Sequence, residues 1–223
     1  MPEAIPAGQP APVTVPERLA RRARSALGLP RVRGVAHWLR HAPDRALHAR
    51  RRRAALRRLS GRPPPASVLF LCQGNIIRSP FAAALCARAL PEPLRARVRI
   101  TSQGFISPGR PSPREALEAA RAHGIDLSAH RSGLLSRESV EGAALVVVMS
   151  PEQARAVVRG FGRAPEDVLV LGDLDPLPVE TRAVADPWGR KSADYVRSYA
   201  RIVRCVGELA RALAAADRQG RSG

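Results

Sequence analysis

The residues best suited to chemistry stand in the stretch SVLFLCQGNIIRSPFAAAL, Ser67 to Leu85. A short apolar run ends in Cys72, a polar turn with Gly74 and Asn75 follows, and Arg78 stands six positions after the cysteine, directly before Ser79-Pro80. A thiolate is a strong nucleophile, and a guanidinium presents a planar fork that matches two phosphate oxygens. Gly74 and Asn75 tolerate the left-handed backbone of a tight loop. Such a loop can turn successive N–H groups inward as a nest for a tetrahedral dianion. A helix started by Ser79-Pro80 adds positive potential at the same point and favours the thiolate form of Cys72. A thiolate in a phosphate cradle attacks phosphorus.

Spacing alone does not carry this reading. The chain has 37 Lys+Arg in 223 residues, and Lys191 is the sole lysine, so an arginine at a given distance from a cysteine is common. Cys205 and Arg211 repeat the spacing, but in a helical run with no glycine and no strand before it. The strand, turn and helix around Cys72 separate the two. The bland alternative, a buried structural cysteine after a strand, leaves the polar loop unexplained.

A phosphoester's leaving oxygen needs a proton, so a general acid is expected elsewhere. Two acidic loops are on offer, GDLDPL with Asp173 and Asp175, and VADPWG with Asp186. Asp186 is the expected acid, because Pro187 stiffens its loop and Trp188 can wall a pocket deep enough for a flat aromatic ring. Asp173 and Asp175 are the rivals.

The elements that must position these residues follow a β-α rhythm from Ser67 onward. Val68–Leu71, Val98–Thr101, Leu145–Met149 and Val168–Leu171 are short, β-branched and apolar on both faces, as parallel strands between helix layers are. The stretches SPFAAALCARAL, SPREALEAARAHG, SPEQARAVVRGFG and SADYVRSYARIVRCVGELARAL read as helices, and Ser-Pro in the first three predicts an N-cap followed by N1. The alternation predicts a three-layer α/β fold, an open doubly wound sheet of about four parallel strands. Ligands bind at the carboxyl ends of such strands, and Cys72 stands at one.

Upstream, SGRPPPAS (Ser60–Ser67) marks a break. The expected organisation is a basic extension and linker over 1–66, a catalytic domain over 67–215 and a flexible tail over 216–223. The formal charge of +18 is uneven: residues 1–65 hold 15 Arg against three acids, while the remainder holds 22 Lys+Arg against 16 acids. In the extension, TVPE (Thr14–Glu17) offers a capping box, and Val32, Val35, Ala36 and Leu39 share a helical face beside Trp38. HARRRRAALRRL (His48–Leu59) is a third, strongly cationic piece. The readings weighed for this arm are a solvated, disordered tail, an anionic membrane surface or protein contact, and nucleic acid, for which no motif is present. The first residues lack a basic n-region and an apolar h-region, and the longest apolar run, Ala143–Met149, is too short to span a bilayer, so a cytoplasmic protein is expected. Three scattered cysteines form neither a disulfide framework nor a zinc pattern, and neither cofactor nor metal is expected.

Taken together, these residues resemble the low-molecular-weight protein tyrosine phosphatases. VLFLCQGNIIRSP is similar to that family's signature loop CxGNICRSP, ITSQGF stands where the family has a strand ending in S-A-G, and HGIDLSAHRS and the late DPW follow in order. The resemblance spans about Ser67 to Leu213. It implies a Rossmann-like sheet and metal-free hydrolysis, with Cys72 as nucleophile, Arg78 as phosphoryl clamp and Asp186 as general acid and base. It further implies that Ser79 hydrogen-bonds the thiolate, that Asn75 holds the loop's shape and that His130 supports it from behind, while Gly74, Ile76, Ile77 and Trp188 contribute to the phosphate and substrate pocket. The implied partners are phosphotyrosine-bearing proteins, a tyrosine kinase among them.

Departures from the pattern carry information. Ile77 replaces the family's second loop cysteine, which removes a local reversible disulfide. Ile76 stands where relatives resembling arginine phosphatases carry Thr, which favours phosphotyrosine. Gln103 and Phe105 replace residues expected at the pocket rim. Two other functions share such a loop. A thioredoxin-coupled arsenate reductase needs two further cysteines close together, whereas Cys86 and Cys205 are far apart in sequence. A non-catalytic phosphate-binding module needs no nucleophile.

Overall fold

The structure is a computed structural model and describes residue 39 and residues 41–221. It divides into Met1–Arg40 and His41–Gly223, and everything below concerns the second unit. The helical pieces expected around Thr14–Leu27 and Val32–Trp38 lie outside the described residues. Among the described residues no helix is long and apolar enough to cross a membrane.

Four parallel strands form one sheet in the order β2-β1-β3-β4: β1 (Ser67–Cys72), β2 (Arg99–Gly104), β3 (Leu145–Val148) and β4 (Val168–Val170). Strand β1 is central and buried along its whole length, so its alternation sends Val68, Phe70 and Cys72 into one core and Leu69 and Leu71 into the other. The first core is closed by α1 (Ala42–Ser60), α2 (Arg78–Ala89), α4 (Arg114–Arg121) and the long α7 (Ser192–Arg221); the short α3 (Glu92–Arg95) adds Leu94 to it. The second is closed by α5 (Arg137–Glu141) and α6 (Pro151–Phe161). This is the expected three-layer doubly wound architecture, with Cys72 at the carboxyl end of β1.

Several local expectations are corrected. Of the three Ser-Pro pairs only Ser150 caps a helix, accepting from the Gln153 amide. Helix α2 already starts at Arg78, which leaves Ser79 inside the first turn and its hydroxyl free for another partner, and α4 has Pro113 at its N-cap. The cationic segment His48–Leu59, grouped by sequence with a loose arm, lies in α1. That helix buries His48, Ala55 and Leu59 and packs on α7 and on the 3₁₀ turn Leu171–Leu174. Its Arg52 pairs with Glu208 of α7, and His48 Nε2 donates to the Asp175 carbonyl at 2.9 Å. At the other end, helix α7 runs on to Arg221, past the 215 boundary, and Asp217 pairs with Arg97 and Arg221.

Candidate active site

The loop after β1 is shaped by one residue. Asn75 has φ 50°, in the left-handed region, and its short amide is fully buried. Asn75 Nδ2 donates to Ser79 Oγ and to Ser102 Oγ, both at 2.9 Å, and Oδ1 accepts from the Gly133 amide at 2.8 Å. His130 Nε2 donates to the Asn75 carbonyl at 2.7 Å. Gly74 does not share the left-handed conformation, and a methyl there would meet only Ile76 at 3.5 Å. The glycine the loop requires is Gly104, at the end of β2, where a Cβ would lie 2.8–2.9 Å from the Asn75 backbone nitrogen, its Cβ and the Gly74 carbonyl carbon. Among the described residues none accepts a hydrogen bond from the amides of residues 73–77, so a row of donors is left for an anion.

Cys72 is buried, and Ser79 Oγ donates to its sulfur at 3.0 Å. That is the partner for which the Ser79 hydroxyl gave up its cap. Arg78, only 5% exposed, donates through Nη1 to the Val184 carbonyl at 3.1 Å and through Nη2 to Asp186 Oδ2, while its Nε is buried without a partner among the described residues. Behind the loop, Tyr199 stacks on Phe81 with ring centroids 3.9 Å apart and donates its hydroxyl to the Ile77 carbonyl. Burial, and then the neighbouring Cys72, push the Tyr199 phenol up, so it stays neutral.

Cys72, Gly74, Ile76, Ile77, Arg78, Asp186 and Trp188 line one cavity of about 80 Å3, together with Gln73, Ile106 and Arg110. Asn75, Ser79 and His130 stand behind it as supports. Asp186 also accepts from the Trp188 amide at 3.2 Å, which couples its carboxylate to the residue whose ring stands on the rim. The rivals Asp173 and Asp175 are elsewhere: Asp173 is chelated by Arg182, and Asp175 is held by Arg201 and Arg204. Burial opposes ionisation of Asp175, yet hydrogen bonds from Arg204 and the Leu177 amide and the charges of both arginines hold its carboxyl below the usual range.

Gln103 and Phe105 do not reach the cavity. Gln103 accepts from Ser139, and Phe105 packs against the second core. The rim is instead built by Ile106 and Arg110, and the Arg110 guanidinium lies over the Trp188 ring at 5.0 Å. Their loop is pinned by Ser132, whose hydroxyl accepts from the Arg110 amide and donates to the Ser107 carbonyl. Thus HGIDLSAHRS, legible only as a pattern, serves with the Gly133 that follows it as a double buttress: His130 and Gly133 hold the cradle, and Ser132 holds the rim. Burial pushes the thiols of Cys86 and Cys205 up to about 12, so both are inert buried groups in helices.

A protein-family model described as low molecular weight phosphotyrosine protein phosphatase matches residues 67–219. The probable low molecular weight protein-tyrosine-phosphatase EpsP of Ralstonia solanacearum is 32% identical over 141 residues, covering 63% of this chain and 90% of its own length. The protein-arginine-phosphatase of Bacillus subtilis (strain 168) is 30% identical over 147 residues, covering 66% and 95%. Among solved structures, the YwlE arginine phosphatase from Geobacillus stearothermophilus aligns at TM-score 0.57 and 27% identity over 66% of this chain and 92% of that one. The low molecular weight protein tyrosine phosphatase from T. tengcongensis aligns at TM-score 0.57 and 27% identity over 65% and 97%. The family model begins at β1, so α1 lies outside it.

Proposed function

The chain belongs to the low molecular weight phosphotyrosine protein phosphatase family, and we propose that it hydrolyses phosphotyrosine in proteins through a phosphocysteine on Cys72. The observation that carries the reading is that a thiol, a guanidinium and a carboxyl, Cys72, Arg78 and Asp186, line one small cavity. The free amides of residues 73–77 and Arg78 take the phosphoryl oxygens. The Cys72 thiolate attacks phosphorus, the bond from phosphorus to the tyrosine oxygen breaks, and Asp186 delivers its proton to that oxygen. In the second half Asp186 takes a proton from water, the water oxygen attacks phosphorus, and the P–S bond breaks to return the thiolate and release phosphate. Ser79 steadies the sulfur as it leaves. The incoming phosphoryl group displaces Asp186 from Arg78 and so frees the carboxyl for the ester oxygen.

Two features favour phosphotyrosine over phosphoarginine. Ile76, Ile106 and Trp188 offer apolar walls to a phenyl ring, and Ile76 has no hydroxyl for a guanidinium. Arg110 stacked on Trp188 places a positive charge at the rim, against the cationic guanidinium of phosphoarginine. An arsenate reductase is disfavoured because Cys86 and Cys205 are buried thiols with raised pKa, unsuited to relay a disulfide. The acid assignment is tested by Asp186→Asn on esters of different leaving groups. General acid help is worth about 10²–10⁴-fold, so phosphotyrosine hydrolysis falls in that range while p-nitrophenyl phosphate suffers far less. Equal losses on both esters would remove Asp186 from the role.

A further inference from the structure

Between α1, α6 and the edge strand β4 lies a cleft of about 520 Å3, within the range of small-molecule sites. It shares no lining residue with the catalytic cavity, and it exists because α1, the helix outside the family model, forms one wall. Five guanidinium groups face one carboxylate there: Arg51 and Arg58 from α1, Arg155 and Arg159 from α6, and Arg182, against Asp173. Three of the five are matched, by Asp44, Glu152 and Asp173. Two are not. Arg58, half-buried, reaches only the Val168 carbonyl at 3.3 Å, and Arg159 makes no hydrogen bond or ion pair with another described residue. Burial and then Arg62 push the Arg58 guanidinium down against the pull of Asp167, Asp173 and Glu166, the direction expected of a half-buried cation.

The floor is of a different kind, with Ala54, Ala55, Val158, Pro165 and Val168. An inorganic anion would match the arginines and leave this floor wet. We infer that the cleft binds a small organic polyphosphate of the nucleotide class, its phosphates on Arg58 and Arg159 and its ring on the apolar floor between α1 and α6. The site is independent of the catalytic reading.

The test is calorimetric titration of the full chain with ATP in magnesium-free buffer, after tungstate has filled the catalytic cradle. The expected result is one-to-one binding that weakens about tenfold or more in Arg58→Gln/Arg159→Gln, the range for losing charge-assisted hydrogen bonds. Arg159→Glu, at an exposed helix position, weakens binding in the same direction without touching the packing of α1. Tripolyphosphate binds more weakly than ATP because it leaves the floor uncovered. Hydrolysis of p-nitrophenyl phosphate, measured on the same samples without tungstate, stays unchanged in both variants, which separates failure here from failure of the catalytic reading. No heat at millimolar ATP, equal affinity in wild type and variants, or tripolyphosphate binding as tightly as ATP would each overturn the assignment.

Discussion

The Cys72 sulfur ends a line of hydrogen bonds that begins in another loop. The Gly133 amide fixes Asn75, Asn75 fixes Ser79, and Ser79 donates to the sulfur. A residue that displaces Asn75 is therefore felt at the thiol. Gly104→Ala is the sharpest such change, since its methyl would enter within 3 Å of backbone that cannot move without the loop. Overpacking of this kind costs about 1–3 kcal/mol. Thermal denaturation should show a loss in that range, and turnover should drop by more than the folded fraction explains; a variant with wild-type turnover would contradict the close approach. That Cys72, Arg78 and Asp186 line one cavity could be anticipated because the proposed phosphoryl transfer calls for those residue types. Gly104 and Arg110 could not be, because their reasons are distances: one lets two loops touch, the other lies over a ring 78 positions away in the chain. Gln103 was misplaced for the same reason, its side chain turning to Ser139 rather than to the rim.

At the scale of elements, β1, β3 and β4 were readable because a buried parallel strand is an unbroken apolar run, whereas β2 is a partly exposed edge strand of mixed residues and runs three residues beyond the end its pattern gave it. The helices α3 and α5, at four and five residues, are too short to show a period. The docking of helix α1 on the domain went unread for another reason. Arginine surrounds it, and it docks through a few small contacts and through ion pairs such as Arg52 with Glu208, which no hydrophobic pattern registers. If α1 is part of the folded body, Leu59→Ala should cost about 2 kcal/mol or more, the low end for a buried leucine, in a single cooperative transition monitored by urea denaturation. An unchanged midpoint would mean that the helix carries no share of the core.

Across the whole molecule, Asp175 is the junction. Its carbonyl receives His48 of α1, its carboxylate receives Arg201 and Arg204 of α7, and Arg201 also holds the Thr181 and Ala183 carbonyls of the segment that leads to Asp186. Asp175 is 1% exposed, so removing its charge strands two guanidinium groups, at a cost of about 3–5 kcal/mol. Its folded pKa lies below its ordinary value. Its stabilisation is thus fully present above the unfolded carboxyl value, about 4, and fades as pH falls through the lower folded value. Asp175→Asn should be strongly destabilised at pH 7, with the gap to wild type closing only below about pH 4. A constant gap down to pH 2 would show that charge is not what this junction contributes.

The measurement closest to the central claim is phosphate release from phosphotyrosine, phosphoarginine and phosphoserine peptides by the full chain in EDTA, beside Cys72→Ser. Release from phosphotyrosine should be at least about tenfold more efficient than from phosphoarginine, the scale of discrimination one pocket contact supplies, and absent in the variant. Phosphoarginine as the better substrate, or turnover that survives in Cys72→Ser, would contradict that claim.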